Sequence, residues 1–150
     1  MLALLFVGCG VFAPFDGTWL FSFERTADMS GDCAPEEDQD ETYEYTGTND
    51  AALDIYSTAD GQLVILLGDA LIGTVEGNAF EVSRETSQKS GKSEYDYEAV
   101  LDGALEGAVL SGDYEVTEDQ ITESDEYTCT SKTGYTAVKM TTSPDQLAGS

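Results

Sequence analysis

Short stretches in which apolar and polar residues alternate, each followed by a turn signal, run through most of this 150-residue chain. The segment from Gly17 to Glu24 is the clearest case, because Trp19, Phe21 and Phe23 fall on one face and the intervening residues on the other. A period of two is typical of a β-strand with one buried face. No window of useful length has the 3.6-residue period of an amphipathic helix. The alternation therefore predicts an all-β protein.

Nine further segments of the same kind follow the first strand. They span residues 42–48, 52–57, 62–67, 71–75, 79–85, 94–101, 108–117, 127–130 and 135–140. The turn signals between them are Asp60-Gly61, Gly68-Asp69, Gly77-Asn78, Ser90-Gly91-Lys92, Asp102-Gly103 and Lys132-Thr133-Gly134. Gly, Asn and Asp tolerate the positive φ angles of tight hairpin turns. Eight to ten strands joined by hairpins predict an antiparallel up-and-down meander, which can close as a barrel or fold over as a β-sandwich.

The first strand opens on Gly17-Thr18-Trp19, which resembles the G-x-W motif of lipocalins and related calycins. The resemblance implies a lipocalin-like barrel of eight strands whose closed end is plugged by Trp19. It also implies a basic side chain from near the last strand against that Trp. Lys139 is the best match here, where the family usually has Arg. An immunoglobulin-like sandwich is disfavoured, since its Trp lies between two cysteines and Trp19 precedes both Cys33 and Cys129.

Alternate residues of each strand should line the interior of such a barrel. The predicted lining is Trp19, Phe21, Phe23, Leu53, Ile55, Leu63, Ile65, Phe80, Val82, Tyr95, Tyr97, Leu101, Tyr114 and Val116. An eight-stranded barrel has room for side chains or for one small apolar ligand. The candidate ligand-binding residues are Trp19, Phe21, Phe23, Ile55, Phe80, Tyr95, Tyr97 and Tyr114. So many large aromatic residues favour a filled core, while Tyr hydroxyls at a cavity mouth would suit a ligand site.

The N-terminus, Met1 to Cys9, is an apolar run that ends in Phe6-Val7-Gly8-Cys9 and resembles the lipobox of bacterial lipoproteins. The resemblance implies that residues 1–8 are a signal peptide, without the usual basic start, and that Cys9 carries the lipid. Residues 9–16 would then be a short apolar tether, able to enter the membrane interface or to dock beside Trp19. The implied location is the bacterial cell envelope, with the outer membrane favoured because Gly10 is not the Asp of an inner-membrane retention signal. A buried strand or helix is the alternative for this segment.

Three cysteines are an odd number, which in an exported protein requires an explanation for the unpaired one. Lipidation of Cys9 would leave Cys33 and Cys129 to form a disulfide in an oxidising compartment. Two buried thiols are the alternative. Neither residue belongs to a CxxC pattern, so the sequence does not indicate a redox or zinc site.

Thirty acidic residues stand against six basic ones, for a net charge of −24. Such a surface repels nucleic acid and anionic membrane lipids, so we expect no nucleic-acid partner. The acids are spread along the chain, which favours adaptation to a saline medium over cation binding. They are denser in two stretches: 36–44, most of which falls in a predicted acidic loop at about 27–41, and 113–126. A calcium-dependent surface module is a minor alternative, although no EF-hand loop is present.

The composition argues against an enzyme. The chain has no His, which is the commonest general base and a frequent metal ligand. Among thirty carboxylates some neighbour one another by chance, so no pair identifies a glycosidase site. The Gly-rich piece 103–112 has no Lys for a phosphate and follows no βα pattern, and no cofactor is expected.

Two functions of different classes remain open at this stage. The domain at 17–140, with a frayed tail at 141–150, is either a lipid-anchored barrel that binds a small hydrophobic molecule or a structural or interaction protein of the envelope with a filled core. No protein partner can be named from the residues.

The charge leads to a prediction on stability. Screening of the −24 charge should raise the thermal unfolding temperature between low and molar sodium chloride. Differential scanning fluorimetry across that range measures the shift. A flat or falling unfolding temperature would contradict the expectation.

Overall fold

A computed structural model describes residues 14–31, 42–44 and 49–140. Every regular element within these ranges is a β-strand, as the alternation predicts. The strands are β1 Gly17–Phe23, β2 Thr26–Gly31, β3 Thr42–Glu44, β4 Asp50–Ser57, β5 Leu63–Leu67, β6 Asp69–Glu76, β7 Ala79–Ser90, β8 Ser93–Glu106, β9 Val109–Ile121 and β10 Glu126–Lys139.

Eight of these strands close into an antiparallel barrel. Each strand from β4 to β9 pairs with the next one along the chain, β4 also pairs with β1, and β10 returns to pair with β1. The closing pair aligns Trp19 with Lys139 and Phe23 with Tyr135. The predicted all-β barrel is confirmed, and the sandwich alternative is wrong because a sandwich would leave these two edges unpaired.

β2 continues the path of β1 after a break at Glu24 and Arg25. The N-terminal half of β10 pairs with β2 through residues 129–132, and β3 pairs with β2 as an additional strand. The predicted acidic loop at about 27–41 is therefore wrong over its first residues, which are strand. The reason is tertiary: β10 extends beyond β1 and offers backbone hydrogen bonds to the polar segment of Thr26–Gly31. Residues 32–41 lie outside the described ranges.

Two predicted turns are strand instead. Asp102-Gly103 lies within β8, where a Cβ on Gly103 would clash with the Tyr135 hydroxyl oxygen and the Phe80 ring. Lys132-Thr133-Gly134 lies within β10, which pairs with β9 through all three positions. Thr133 is buried, and a Cβ on Gly134 would meet the Glu24 carboxyl group. These glycines allow close approach of neighbouring groups rather than a change of chain direction.

The four turns predicted at Gly61, Gly68, Gly77 and Gly91 are confirmed. Each of these glycines has a positive φ, between 63° and 86°. A side chain at such a φ is strained, so glycine is the residue that these hairpins require.

The strands differ in length, so one side of the barrel extends further along the barrel axis than the other. β4, β5 and β6 have eight, five and eight residues, whereas β7 to β10 have twelve to fourteen. The N-terminal end of β1 and the β8–β9 turn lie at one end of the barrel, called the closed end here. The C-terminal end of β1 and the β5–β6 turn lie at the other, called the mouth. The upper halves of β7 to β10 rise beyond the mouth as a wall.

A single apolar core lies inside the barrel. Its buried members are Phe15, Trp19, Phe21, Leu53, Ile55, Leu63, Ile65, Leu71, Phe80, Val82, Ala99, Leu101, Leu110, Tyr135 and Ala137. Nine of the fourteen predicted lining residues are among them, and Phe23, Tyr114 and Val116 pack against the core while partly exposed. The period of two therefore assigned the inward face correctly in each of these strands.

Candidate functional site at the mouth of the barrel

The closed end is sealed by Trp19. Its indole N–H donates a hydrogen bond of 2.7 Å to the carbonyl oxygen of Phe15, which is itself fully buried. Phe15 therefore docks beside Trp19, one of the two positions predicted for the tether. The Lys139 Nζ lies 5.9 Å from the centroid of the Trp19 ring, within the range of a cation–π contact. A Cβ on Gly17 would come within 2.5 Å of Lys139 Cε, so this glycine makes room for the lysine stem.

Aromatic rings fill the barrel above Trp19. The centroid of the Phe21 ring lies 4.8 Å from that of Tyr135 and 5.9 Å from that of Phe23. Phe15 and Phe80 meet edge to face with 5.2 Å between their centroids. These distances are those of well-packed aromatic pairs. The lower part of the barrel is therefore a filled core.

Tyr135 joins two strands that are not neighbours. It faces Gly112 of β9 in register, where a Cβ would clash with the Asp102 carbonyl group, and its hydroxyl reaches across to β8. There it donates a hydrogen bond of 2.6 Å to the Asp102 carbonyl oxygen. Burial, followed by the nearby charges of Asp102 and Asp113, raises the pKa of Tyr135 well above its ordinary value. The ring also supports Phe23, with 5.8 Å between their centroids, at the level where the core ends.

An apolar hollow of about 300 Å³ opens above this level. It is formed mainly by Phe23, Ala51, Leu67 and Tyr114, and its polar lining is Glu24, Asn49, Asp50 and Thr133. Ala51 pairs with Phe21 across the β1–β4 ladder and shares its inward face. The small side chain of Ala51 leaves space that a larger residue would fill.

A second hollow of about 240 Å³ adjoins the first, since Tyr114 lines both. We call it the arginine hollow because Arg84 of β7 lines it, together with Tyr97 and Val116. Arg84 follows Phe80 and Val82 at intervals of two, so its side chain points inward like theirs. Its Nη1 lies 3.6 Å from Asp69 Oδ2, and the Asp69 side chain is 82% exposed.

The inner face of the wall is polar above the two hollows. The Gln120 amide donates to the Tyr95 hydroxyl at 3.2 Å, and the Tyr97 hydroxyl donates to Glu118 at 3.5 Å. Burial, followed by the Glu118 charge, raises the pKa of Tyr97. Tyr95 and Tyr97 are therefore on the predicted inward face, but they lie above the filled core and not within it.

The outer face of the wall is acidic. The pKa of Glu98 is raised, first by a hydrogen bond with Glu85 and then by burial and the charges of neighbouring carboxylates. Among the described residues, no group of three or more His, Cys, Asp and Glu side chains has an arrangement that could hold a metal ion. Part of the acidic stretch at 36–44 lies outside those residues, and calcium binding there stays a prediction.

A further groove of about 750 Å³ runs along the outside of the closed end. Its lining is mainly apolar and includes Pro14, Leu20, Val138 and Met140. Leu20, Val138 and Met140 are each more than one third exposed. The described residues contain no helix long and apolar enough to cross a membrane.

The predicted ligand residues separate into three groups. Trp19, Phe21, Ile55 and Phe80 belong to the filled core. Phe23 and Tyr114 line the apolar hollow, and Tyr97 lines the arginine hollow. Tyr95 lies higher on the wall and lines neither.

Sequence reasoning missed four residues that form the mouth: Asn49, Ala51, Leu67 and Arg84. The alternation along β7 could have indicated that Arg84 points inward, since residues 80, 82 and 84 share one face. Leu67 likewise continues the alternation of Leu63 and Ile65. Nothing in the local pattern distinguishes Asn49 from an exposed turn residue.

Two predicted cysteine sites cannot be placed in full. Cys9 and Cys33 lie outside the described residues, so lipidation and the Cys33–Cys129 disulfide stay predictions. Cys129 pairs in register with Gly31 of β2, and Gly31 precedes Cys33 by two residues. This proximity along the chain supports the predicted bond.

Comparisons of the chain with protein-family models, with curated proteins and with solved structures gave no match.

The contact between Tyr135 and Asp102 leads to a prediction on pH. Tyr135→Phe should lower the free energy of unfolding at pH 7 by about 1–2 kcal/mol, since the Asp102 carbonyl loses its donor. Because the folded-state pKa is raised above 10.0, the stability that the hydroxyl contributes is complete below about pH 10 and is lost as the pH rises towards the folded-state pKa. The difference in free energy of unfolding between wild type and Tyr135→Phe should therefore decrease above pH 10.

Urea unfolding at pH 7, 10 and 11 measures this gap. Tyr127→Phe is the matched control, because Tyr127 is 45% exposed and should give a small difference at every pH. A Tyr135→Phe gap that stays constant from pH 7 to pH 11 would show that the proton of Tyr135 does not contribute as described.

Proposed function

We propose that this protein is a lipid-anchored β-barrel of the bacterial cell envelope that binds a small, largely apolar molecule in the mouth of the barrel. The observation that carries the binding function is the hollow formed by Phe23, Ala51, Leu67 and Tyr114. A concave apolar surface with a few polar groups at its edge is the usual form of a small-molecule site. Rings and aliphatic side chains at the floor would remove the ligand's apolar surface from water.

The filled core sets the depth of this site. Phe21 and Tyr135 occupy the barrel just below Phe23, so a ligand would rest on these rings and not pass between them. The two adjoining hollows, of about 300 and 240 Å³, suit a molecule of modest size. A ligand with a long hydrocarbon chain would have to extend along the inner face of the wall, past Tyr97.

The anchoring part of the proposal is supported by the N-terminal sequence and by where the described chain begins. Pro14 lies at the closed end, in the exposed apolar groove with Leu20 and Met140. Cys9 is five residues earlier, a reach of at most about 18 Å. A lipid on Cys9 would therefore hold the closed end towards the bilayer, with the mouth at the opposite end of the barrel.

The second candidate, a structural or interaction protein, is favoured by a different observation. The core is filled with aromatic rings up to Phe23, as in a barrel that carries nothing. In that case the acidic outer face of the wall, with Glu85 and Glu98, would be the functional surface.

The two candidates differ in how the mouth responds to a larger side chain. Ala51→Phe should abolish binding of the neutral fluorescent probe N-phenyl-1-naphthylamine, or weaken it at least 10-fold, because the new ring fills the apolar hollow. Ala52→Phe is the matched control, since Ala52 is the next residue of β4 and its side chain is exposed on the outer face. Fluorescence titration measures both affinities, and circular dichroism verifies that both variants fold.

Equal probe binding by wild type, Ala51→Phe and Ala52→Phe would contradict a ligand site at the mouth. An absence of saturable binding by the wild-type protein would do so as well and would favour the structural candidate.

The anchor is tested in a bacterial host that lipidates exported proteins. Wild type should sediment with the membranes and be released by detergent, whereas Cys9→Ser should lose the lipid and appear in the soluble fraction. Intact-mass measurement should show a diacylglycerol-type addition on the wild type alone. A wild-type mass without lipid would contradict the anchor and leave the ligand site untouched.

A further inference from the structure

Two buried polar side-chain atoms have no hydrogen-bond partner among the described residues: Arg84 Nη1 and Asn49 Nδ2. Both are donors, and both belong to residues that line the mouth, Arg84 in the arginine hollow and Asn49 in the apolar hollow. Unsatisfied buried polar groups are rare in native proteins because each costs about 1–3 kcal/mol. The described part of the chain has no unsatisfied buried side-chain acceptor that could match them.

It is unexpected that both unsatisfied atoms are donors, because the chain has a net charge of −24 and its charged side chains offer far more acceptors than donors. Carboxylates could have paired with both atoms. The nearest one, on Asp69, lies 3.6 Å from Arg84 Nη1, which is too far for a hydrogen bond. The Asp69 side chain is also 82% exposed, and an ion pair with so exposed a partner contributes little.

Arg84 is also the one basic residue that lines either mouth hollow in the part of the chain that the structure describes. Lys139 lies at the closed end beside Trp19, and Lys132 faces outward, 3.9 Å from Asp113. A guanidinium group that is buried at one atom and adjoins an apolar hollow is suited to a ligand that has an oxygen acceptor at one end and hydrocarbon at the other.

We propose that the molecule bound at the mouth is a small amphiphile with an anionic oxygen head, a carboxylate or a phosphate, whose head accepts hydrogen bonds from Arg84 and whose apolar part lies against Phe23, Leu67 and Tyr114. This inference rests on the proposed function and specifies its ligand class. The head satisfies Arg84 Nη1, and the Asp69 carboxylate stays exposed to solvent. The apolar part covers the hollow, and Asn49 Nδ2 can donate only to an oxygen atom of the ligand.

The test measures the affinities of four probes that share an eight-carbon chain: octanoate, octyl phosphate, octanol and octylammonium. Each competes with N-phenyl-1-naphthylamine on the full chain, below its critical micelle concentration and at fixed salt. Wild type should bind octanoate, octyl phosphate or both at least 10-fold more tightly than octylammonium, since a charge-assisted hydrogen bond to a buried donor is worth about that factor or more. The better of the two anions identifies the head group.

Arg84→Gln should weaken binding of the preferred anion about 10-fold or more and change octanol affinity less than about 3-fold. Lys132→Gln is the matched control, because it removes the same charge from the outer face and should leave all four affinities within about 2-fold. Unfolding curves verify that both variants fold.

The outcomes separate this inference from the proposed function. Octanol binding as tight as that of the anions, together with an Arg84→Gln variant that binds every probe like wild type, would overturn the anionic head and retain the apolar site. Equal losses in Arg84→Gln and Lys132→Gln would mean that overall charge, and not Arg84, governs anion binding, and would also overturn the inference. Binding of none of the four probes would overturn both proposals.

Discussion

The pairing of β10 with β1 is the constraint on which the rest of this barrel depends. β10 runs for fourteen residues and pairs with β9 along almost its whole length. Its C-terminal half closes the barrel against β1, and its N-terminal half supports β2. The register of this pairing sets Lys139 opposite Trp19 at the closed end and Tyr135 opposite Phe23 at the top of the core. A one-residue slip would move each of these inward side chains to the opposite face.

A filled lower barrel and an open mouth follow from strand length and side-chain size. The aromatic rings of β1 and β10 occupy the interior as far as Phe23 and Tyr135. Above them β4, β5 and β6 end while β7 to β10 continue, so inward residues of the wall have no opposing strand to pack against. Ala51 and Thr133 are small, and the hollow between them remains unfilled. Arg84 enters this region at the first inward position of β7 above Val82, and there the apolar core gives way to polar side chains.

Local pattern predicted the antiparallel meander because each strand carries its own alternation and each tight turn its own glycine, and the resemblance of Gly17-Thr18-Trp19 to the G-x-W motif favoured a barrel over a sandwich. The same local reasoning placed turns at Asp102-Gly103 and Lys132-Thr133-Gly134, where tertiary contacts decide otherwise. Gly103 is needed because Phe80 and the Tyr135 hydroxyl pass within contact distance, and Gly134 because Glu24 does. Neither contact can be read from a window of neighbouring residues. The site was harder to predict for the same reason, since the burial of Arg84 Nη1 and Asn49 Nδ2 depends on residues from several strands.

We propose that the mouth binds an acceptor-bearing, partly apolar molecule, and the most direct measurement is a crystal structure of the protein purified from its own membranes with no ligand added. We expect continuous electron density that begins within hydrogen-bond distance of Arg84 Nη1 and extends over Phe23, Leu67 and Tyr114. A mouth closed by the protein's own side chains, with Arg84 Nη1 hydrogen-bonded to Asp69, would contradict it.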